Sequence, residues 1–288
     1  MNTGIICQSD KMSRLLKYLQ ATAASDKPAL LIGADGSGRS FIGKQLHEMS
    51  PGRDTLVELT CLEPSLSDRL LAAAHRACGG TLLITDLESL DANGQRDLRC
   101  LLAKWAVSKR SPRLVTTALP ELEVRVKSGR FMRSLYDHVS VLRHQIPGLR
   151  ERIEDLPALC RLLLTEHART ARREIPPLMP DGIAALRHYS WPGNIRELSN
   201  ILLRAVLWFA GPLDGEAFRV LLSAETSPDE LRLPIGSTLA DAEKELILAA
   251  LRANRTKTLT ARQLGISRRT LYQKLARYRE SGIAGGMP

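Results

Sequence analysis

The sequence is poor in the features that mark secreted, membrane-bound or metal-stapled proteins. Its five cysteines are scattered through 288 residues and no two are spaced as Cys-x-x-Cys, so we expect reduced thiols. No apolar run approaches the ~20 residues that cross a bilayer. The N-terminus also lacks the basic flank and apolar core of a secretory signal. These absences predict a cytoplasmic protein without a membrane partner.

The positive charge is unevenly placed along the chain. The formal net charge is +10, and residues 239–280 alone hold ten Lys or Arg against four Asp or Glu. A patch of this density suits a polyanion such as a nucleic acid. On charge alone, a solvated helix face explains it equally well. The overall composition, 44% hydrophobic and 25% charged, is that of a folded chain with room for two or three compact units.

The first 117 residues alternate between apolar runs and amphipathic helices. Runs at 29–32, 56–59, 81–85 and 113–117 are mostly apolar, which is typical of strands covered on both faces of a parallel sheet. After Pro147 the pattern becomes helical, with turns that contain Pro and Gly between the helices. The sequence therefore predicts an α/β subdomain followed by a smaller all-helical one.

A glycine-rich turn follows the first predicted strand and opens a helix. It reads GADGSGRS and is close to G-x-x-x-x-G-K-[ST], whose backbone N–H groups cradle phosphates at a helix N-terminus. Arginine stands where the pattern has its phosphate-binding lysine. The predicted nucleotide-binding residues of this turn are Gly33, Gly36, Ser37, Gly38, Arg39 and Ser40.

The basic C-terminal segment has the layout of a helix-turn-helix. Helices are predicted at 239–253 and 258–264, and a turn at Gly265 leads to a third helix beginning at Arg268, with Ser267 as its N-cap. In such a motif the second helix enters the major groove of double-stranded DNA. The predicted DNA-contacting residues are Ser267, Arg268, Arg269, Thr270, Tyr272, Gln273, Lys274 and Arg277.

Residues 264–278, LGISRRTLYQKLARY, resemble the Fis-type helix-turn-helix of bacterial enhancer-binding regulators. The resemblance implies a homodimer on a two-fold operator. The alternative is a three-helix docking module with basic residues on its surface.

Three further stretches are distinctive: GGTLLITDLESL at 79–90, IPGLRERIEDLPAL at 146–159 and YSWPGNIRELSNILLRAV at 189–206. With them, nearly all of residues 1–222 resembles the AAA+ central domain of sigma-54-dependent activators. The resemblance implies a P-loop parallel sheet with a helical lid that binds ATP or ADP. It also implies that Asp86 holds Mg²⁺ and that Arg196, at the sensor II position, faces the phosphates. We expect Asn194 to cap the helix that carries Arg196.

Several residues on which hydrolysis depends in that family are replaced. By the resemblance, Leu87 stands for the glutamate that orients the attacking water, and Thr60 and Leu119 stand for two asparagines. Met132 and His138 stand for the arginines that act in trans, with Arg130 and Arg133 close enough to substitute. Loss of an arginine finger alone costs about 10³–10⁵ in rate. We therefore expect a degenerate ATPase, with nucleotide binding left open.

The family's GAFTGA loop, which touches sigma-54, is also missing. Asp86 follows Arg39 by 47 residues, and the interval has room for one predicted helix at 67–77 and no such string. The AAA+-like part begins within the first few residues, so we expect no receiver domain ahead of it.

Three functional hypotheses follow from these patterns. The first is a DNA-binding transcription regulator on a degenerate AAA+ scaffold, acting with RNA polymerase or as a repressor. The second is a working sigma-54 activator ATPase. The third is a co-regulator that forms mixed oligomers with an active relative. The expected domains are the α/β P-loop-like subdomain 1–147, the lid 148–222, a linker 223–237 and the helix-turn-helix domain 238–280.

Overall fold

The computed structural model describes residues 4–52, 54–63, 66–105 and 111–223, together with single positions between 238 and 278. The chain divides into two compact units, Met1–Leu221 and Leu222–Pro288. In the described part of the chain, no helix is both long and apolar enough to cross a membrane.

A five-stranded parallel sheet forms the centre of the first unit. Its strands lie in the order β2-β3-β4-β1-β5. They are β1 (Ala29–Ile32), β2 (Leu56–Thr60), β3 (Thr81–Thr85), β4 (Arg113–Ala118) and β5 (Leu142–Gln145). The four predicted strands and the α/β fold class are confirmed.

Helices cover both faces of this sheet. They are α1 (Asp10–Ala23), α2 (Arg39–Glu48), α3 (Leu66–Arg76), α4 (Ala92–Trp105), α5 (Glu121–Lys127) and α6 (Arg133–Val139). Side chains alternate along β3: Leu82 and Ile84 join the core under α3 and α4, while Leu83 joins the core under α1 and α2. Because both faces are covered, every position of β3 is buried, which explains its continuous apolar run.

The lid is an all-helical body that follows the sheet. Short 3-10 turns at Leu149–Asp155 lead into α7 (Leu156–Ala171), α8 (Pro180–His188), α9 (Asn194–Trp208) and α10 (Gly215–Ser223). Trp191 is buried before α9, donates from Nε1 to the carbonyl oxygen of Leu186 at 2.9 Å, and packs edge-on against Tyr189. Helices α7 and α9 pack closely, as the predicted helical subdomain requires.

Four elements are additions to the predicted pattern: β5, α5, α6 and α10. Strand β5 is an edge strand in which half-buried and exposed positions alternate, and it carries Arg143 and His144. It therefore lacks the mostly apolar run that predicts the other four strands.

The second unit has its own small core. Ile247 and Leu271 are buried, and Leu251, Leu264, Ile266, Leu275 and Tyr278 pack against them. Leu271 and Leu275, four residues apart, and Ile266 are expected to face inward, which is confirmed. In the first tail helix the sequence predicts an apolar face that includes Leu246, Ala250 and Leu251. Ala250 is buried and Leu251 packs against this core, but the prediction is wrong at Leu246, which is 48% exposed while its neighbour Ile247 is 2% exposed.

Candidate nucleotide site and DNA-binding tail

The glycine-rich turn lies between β1 and α2, as predicted. Gly36 and Gly38 have φ values of 69° and 96°, left-handed conformations that favour glycine, and Gly38 is the N-cap of α2. A Cβ on Gly33 would lie 2.8 Å from Ser37 Oγ and 2.9 Å from the carbonyl oxygen of Ile146. The turn therefore needs glycine at these positions, and it leads into the N-terminus of α2, where the first backbone N–H groups of a helix lack intrahelical partners.

Arg39 lies inside the turn with 7% of its side chain exposed. Its Nη1 donates to the carbonyl oxygen of Gly33 at 3.0 Å. Its Nη2 lies 3.5 Å from Asp86 Oδ1 and 3.7 Å from Asp35 Oδ1. The structure thus brings two predicted site residues, Arg39 and Asp86, into contact, and it adds Asp35, which the motif alone did not single out.

Asp86 follows the last residue of β3 in a left-handed conformation, with φ 59°. Its Oδ2 accepts a hydrogen bond from Thr60 Oγ1 at 3.4 Å, and its backbone N–H donates to Thr117 Oγ1 at 3.4 Å. The next side chain, Leu87, is fully buried in the hydrophobic core. Glu88 accepts from the backbone N–H of Leu119 at 3.0 Å.

The lid closes directly on the turn. The backbone N–H groups of Ile195 and Arg196 donate to the carbonyl oxygen of Gly36 at 3.0 and 3.4 Å. A Cβ on Gly36 would meet the carbonyl oxygen of Gly193 at 2.1 Å. Arg196 lies beside the turn, where it forms an ion pair with Asp35.

The predicted capping role of Asn194 is wrong. The N-cap of α9 is Gly193, and Asn194 is the first residue of the helix. Its Nδ2 donates to the carbonyl oxygen of Asp35 at 2.8 Å and its Oδ1 accepts from the N–H of Leu149 at 2.8 Å. The amide is therefore used to join the turn to the start of the lid, which leaves it unable to cap its own helix.

Arg152 is a site residue that motif matching missed. It is buried, and its Nη2 donates to the carbonyl oxygen of Ser37 at 2.6 Å. Burial, opposed by the charge of Asp155, lowers the pKa of this guanidinium. Asp155 itself accepts from the backbone N–H groups of Gln8 and Ser9 at 2.6 and 2.7 Å. In the sequence, the signal for Arg152 is its position inside the stretch at 146–159 that carries the resemblance.

The positions of the missing arginines lie at the start and end of α6. The N–H of Met132 donates to Gln95 Oε1 at 2.8 Å, and His138 is exposed. Of the two neighbouring arginines, Arg133 is paired with Asp137 at 2.9 Å and Arg130 donates to Ser128 Oγ at 3.1 Å. Both arginine side chains thus have partners within their own segment.

Most of the predicted DNA-contacting residues lie outside the described residues, namely Ser267, Arg268, Arg269, Tyr272, Gln273 and Arg277. The two that are described, Thr270 and Lys274, are half-buried. Lys274 Nζ lies 2.7 Å from Glu243 Oε1, so this lysine has a partner in the first helix of the tail.

Comparison with known proteins covers almost the whole chain. Three family models match in succession: a Sigma-54 interaction domain at residues 6–149, an AAA+ ATPase lid domain at 150–222, and the bacterial regulatory protein, Fis family, at 238–278. The chain is 33% identical to the transcriptional regulatory protein ZraR of Salmonella typhimurium, over 95% of this chain and 68% of that protein. It is 28% identical to FlbD of Caulobacter vibrioides, over 97% of this chain and 71% of that protein.

Solved structures support the same fold. NtrX from Brucella abortus, in complex with ADP, matches with a TM-score of 0.69 at 22% identity, over 96% of this chain and 69% of that one. At that identity the match shows an AAA+ P-loop architecture and no more. Taken with the family models and the ZraR match, it leads to one conclusion: the chain belongs to the sigma-54-dependent enhancer-binding transcription regulators, with an AAA+ domain ahead of a Fis-type helix-turn-helix.

Proposed function

We propose that this protein regulates transcription mainly by binding double-stranded DNA through its tail, and that its AAA+ domain binds ATP or ADP without appreciable hydrolysis. The tail, at 238–280, acts as a dimer on the operator. The subdomains at 1–147 and 148–222 form a nucleotide-responsive body, joined to the tail by a linker at 223–237. RNA polymerase is the proposed protein partner at the promoter, and the cytoplasm is the proposed location.

One observation carries the loss of hydrolysis. Asp86 is paired with Arg39, and the carboxylate expected beside it is replaced by Leu87, whose side chain is in the core. Phosphoryl transfer to water needs a group that orients the nucleophile and a cation that neutralises the phosphates. A single carboxylate in contact with an arginine is poorly placed to serve both requirements.

The α6 residues support the same conclusion. Met132 and His138 provide no guanidinium to a neighbouring subunit, and removal of an arginine finger costs about 10³–10⁵ in rate. Arg130 and Arg133 already have partners within their own segment. Restoring turnover would need changes at Arg39, Leu87 and α6 together.

Nucleotide binding is supported by the turn itself. Gly36 and Gly38 adopt left-handed conformations that expose backbone N–H groups, and α2 begins directly after them, where a helix N-terminus can bind a phosphate. NtrX, which shares the fold, has been crystallised with ATP and with ADP. We therefore include Gly33, Gly36, Ser37, Gly38, Arg39, Ser40 and Arg196 among the proposed nucleotide-binding residues.

The connection between β2 and β3 bears on how the protein acts on transcription. Helix α3 (Leu66–Arg76) is continuous, and β3 begins soon after it at Thr81. The family's sigma-54-contacting loop would be inserted in this interval, and its sequence is not present. We therefore propose regulation through DNA occupancy and contact with polymerase, and not through ATP-driven remodelling of the sigma factor.

Two experiments test the proposal. ATP turnover by the purified chain, with and without operator DNA, should match that of Arg39→Ala. A DNA-stimulated rate well above that variant would establish the working-ATPase hypothesis instead. Footprinting on the promoter of the protein's own gene should show a protected two-fold site, which Arg268→Ala combined with Arg269→Ala abolishes. An unchanged footprint in that double variant would contradict the assignment of the tail.

A second candidate is a co-regulator that forms hetero-oligomers with an active relative. It is favoured by one observation: the sheet and lid are complete, while the residues at 132 and 138 would leave a neighbour's site without its arginines. Such a chain could fill a position in a ring and lower the ring's activity. Co-purification with an enhancer-binding ATPase, together with a lower turnover by that ATPase, would support this candidate.

A further inference from the structure

The resemblance implies that Mg²⁺ binds together with the nucleotide. Whether the oxygen atoms of this site could coordinate that ion can be judged from their contacts. Mg²⁺ takes six oxygen ligands at about 2.0–2.1 Å, usually one or two carboxylates with water and phosphate oxygens. The carboxylate assigned to this role is Asp86, and both of its oxygens are already engaged. Oδ1 faces Arg39 Nη2 at 3.5 Å, and Oδ2 accepts from Thr60 Oγ1 at 3.4 Å.

The strand that leads to Asp86 adds a second mismatch. Leu83 points to the α2 face of the sheet, where it packs in the same core as Ile42 and Leu46. Side chains two apart on a strand share a face. Thr85 therefore points to the face on which the phosphate-binding helix begins, and it offers that face a neutral hydroxyl where a metal site would need a carboxylate.

Arg39 already places a positive charge at this position. Its side chain is almost fully buried beside Asp86, with Asp35 at 3.7 Å. A divalent cation on Asp86 would have to displace the guanidinium or lie against it, and like charges repel strongly where water is largely excluded. The residues present thus do not fit a bound Mg²⁺.

We infer that this site takes its nucleotide without a divalent cation, with Arg39 and Arg196 neutralising the phosphates that Mg²⁺ neutralises in other P-loop proteins. Guanidinium groups suit this role, because their N–H forks match phosphate oxygens in pairs. Asp35 and Asp86 hold the two arginines until the nucleotide replaces them. The inference deepens the proposed function and rests on its nucleotide-binding part.

The first test is calorimetric titration of the full chain with ADP and with ATP, in excess Mg²⁺ and in excess EDTA. We expect dissociation constants that agree within about threefold between the two buffers. A larger weakening in EDTA would overturn the inference and leave the proposed nucleotide binding intact. Absence of binding in both buffers would overturn the nucleotide binding itself, and this inference with it.

The second test uses the direction in which one substitution changes the affinity for nucleotide. Asp86→Asn removes a negative charge beside the phosphates and releases Arg39, so binding should tighten by about three- to tenfold in both buffers. Asparagine is well suited to the left-handed backbone at this position, so the fold should be retained. Weaker binding of Asp86→Asn, confined to the Mg²⁺ buffer, would show that Asp86 is a metal ligand and would overturn the inference.

A matched control is available at the opposite end of the strands from the glycine turn. Asp54 is exposed and precedes β2, whereas the glycine turn follows the C-terminal end of the parallel strand β1. Asp54→Asn makes the same change in net charge and should leave both dissociation constants unchanged. If it tightens binding as much as Asp86→Asn, the effect reflects overall charge, and the inference fails.

Discussion

The contact between the glycine turn and the lid is tested most directly at Gly36. This residue combines a positive φ with close packing, because a Cβ there would lie 2.1 Å from the carbonyl oxygen of Gly193. Gly52 has nearly the same φ, 68° against 69°, and nothing lies within 4 Å of its Cβ position. Alanine at both sites therefore separates backbone strain from steric contact.

The expected magnitudes differ enough to measure. Left-handed backbone costs a non-glycine residue about 1–2 kcal/mol, so Gly52→Ala should lower the free energy of unfolding by that amount. Gly36→Ala adds a clash that pushes the lid away and breaks the hydrogen bonds from Ile195 and Arg196, each contributing about 0.5–1.5 kcal/mol. Backbone strain and the two lost hydrogen bonds together give an expected loss of about 2–5 kcal/mol for Gly36→Ala.

Urea unfolding followed by tryptophan fluorescence is the assay. All three tryptophans, Trp105, Trp191 and Trp208, belong to the first unit, so the signal reports that unit and not the tail. Unchanged m-values would indicate that only stability has changed. If the two alanine variants lose stability equally, within about 0.5 kcal/mol, the lid does not press on Gly36 in solution and the described contact is wrong.

Three further predictions concern other parts of the chain. Burial raises the pKa of the Cys61 and Cys160 thiols to about 12. At pH 8 an alkylating reagent should therefore modify the exposed Cys78 and Cys100 in the folded protein, and should modify Cys61 and Cys160 only after unfolding. Burial, with the charge of Arg113, lowers the pKa of His144 below 6.5. The unfolded chain then binds the proton more readily, so stability should fall as the pH drops below about 6.5. His144→Gln should flatten this slope in pH-dependent unfolding. Finally, Glu243→Gln releases Lys274, which should tighten binding to nonspecific duplex DNA and steepen its salt dependence by about one unit, measured by anisotropy. A weaker complex would mean that the pair positions the helix.

Most of the sheet was predictable because a buried strand leaves a recognisable apolar pattern in its own few residues. Strands β1, β3 and β4 are buried at every position, and burial on both faces favours a mostly apolar run. The other two strands lie at the edges of the sheet. Strand β2 keeps apolar residues on either side of exposed Glu58, whereas β5 carries Arg143 and His144 and its apolar run disappears. In the tail, a shift of one residue separates the predicted position, Leu246, from the buried one, Ile247. Both are apolar, so composition alone could not choose between them.

The site was predictable in its residues but not in their partners. The glycine pattern identified the turn and Arg39, because local backbone conformation dictates glycine there. The roles of Asn194 and Arg152 depend on partners more than a hundred residues away, Asp35 at 2.8 Å for the first and Ser37 at 2.6 Å for the second. Those distances belong to the assembled fold, and no spacing in the sequence encodes them.

The buried carboxylate of Asp155 has a consequence for the order in which the chain folds during synthesis. It accepts hydrogen bonds from the backbone of Gln8 and Ser9, 147 and 146 residues earlier, and also from the Ser9 hydroxyl. Ser9 is in turn the N-cap of α1. While the ribosome is still translating the sheet, the first helix therefore lacks the group that anchors its cap. A nascent chain stalled before residue 155 should leave its N-terminal segment accessible to protease, and release past that point should protect it.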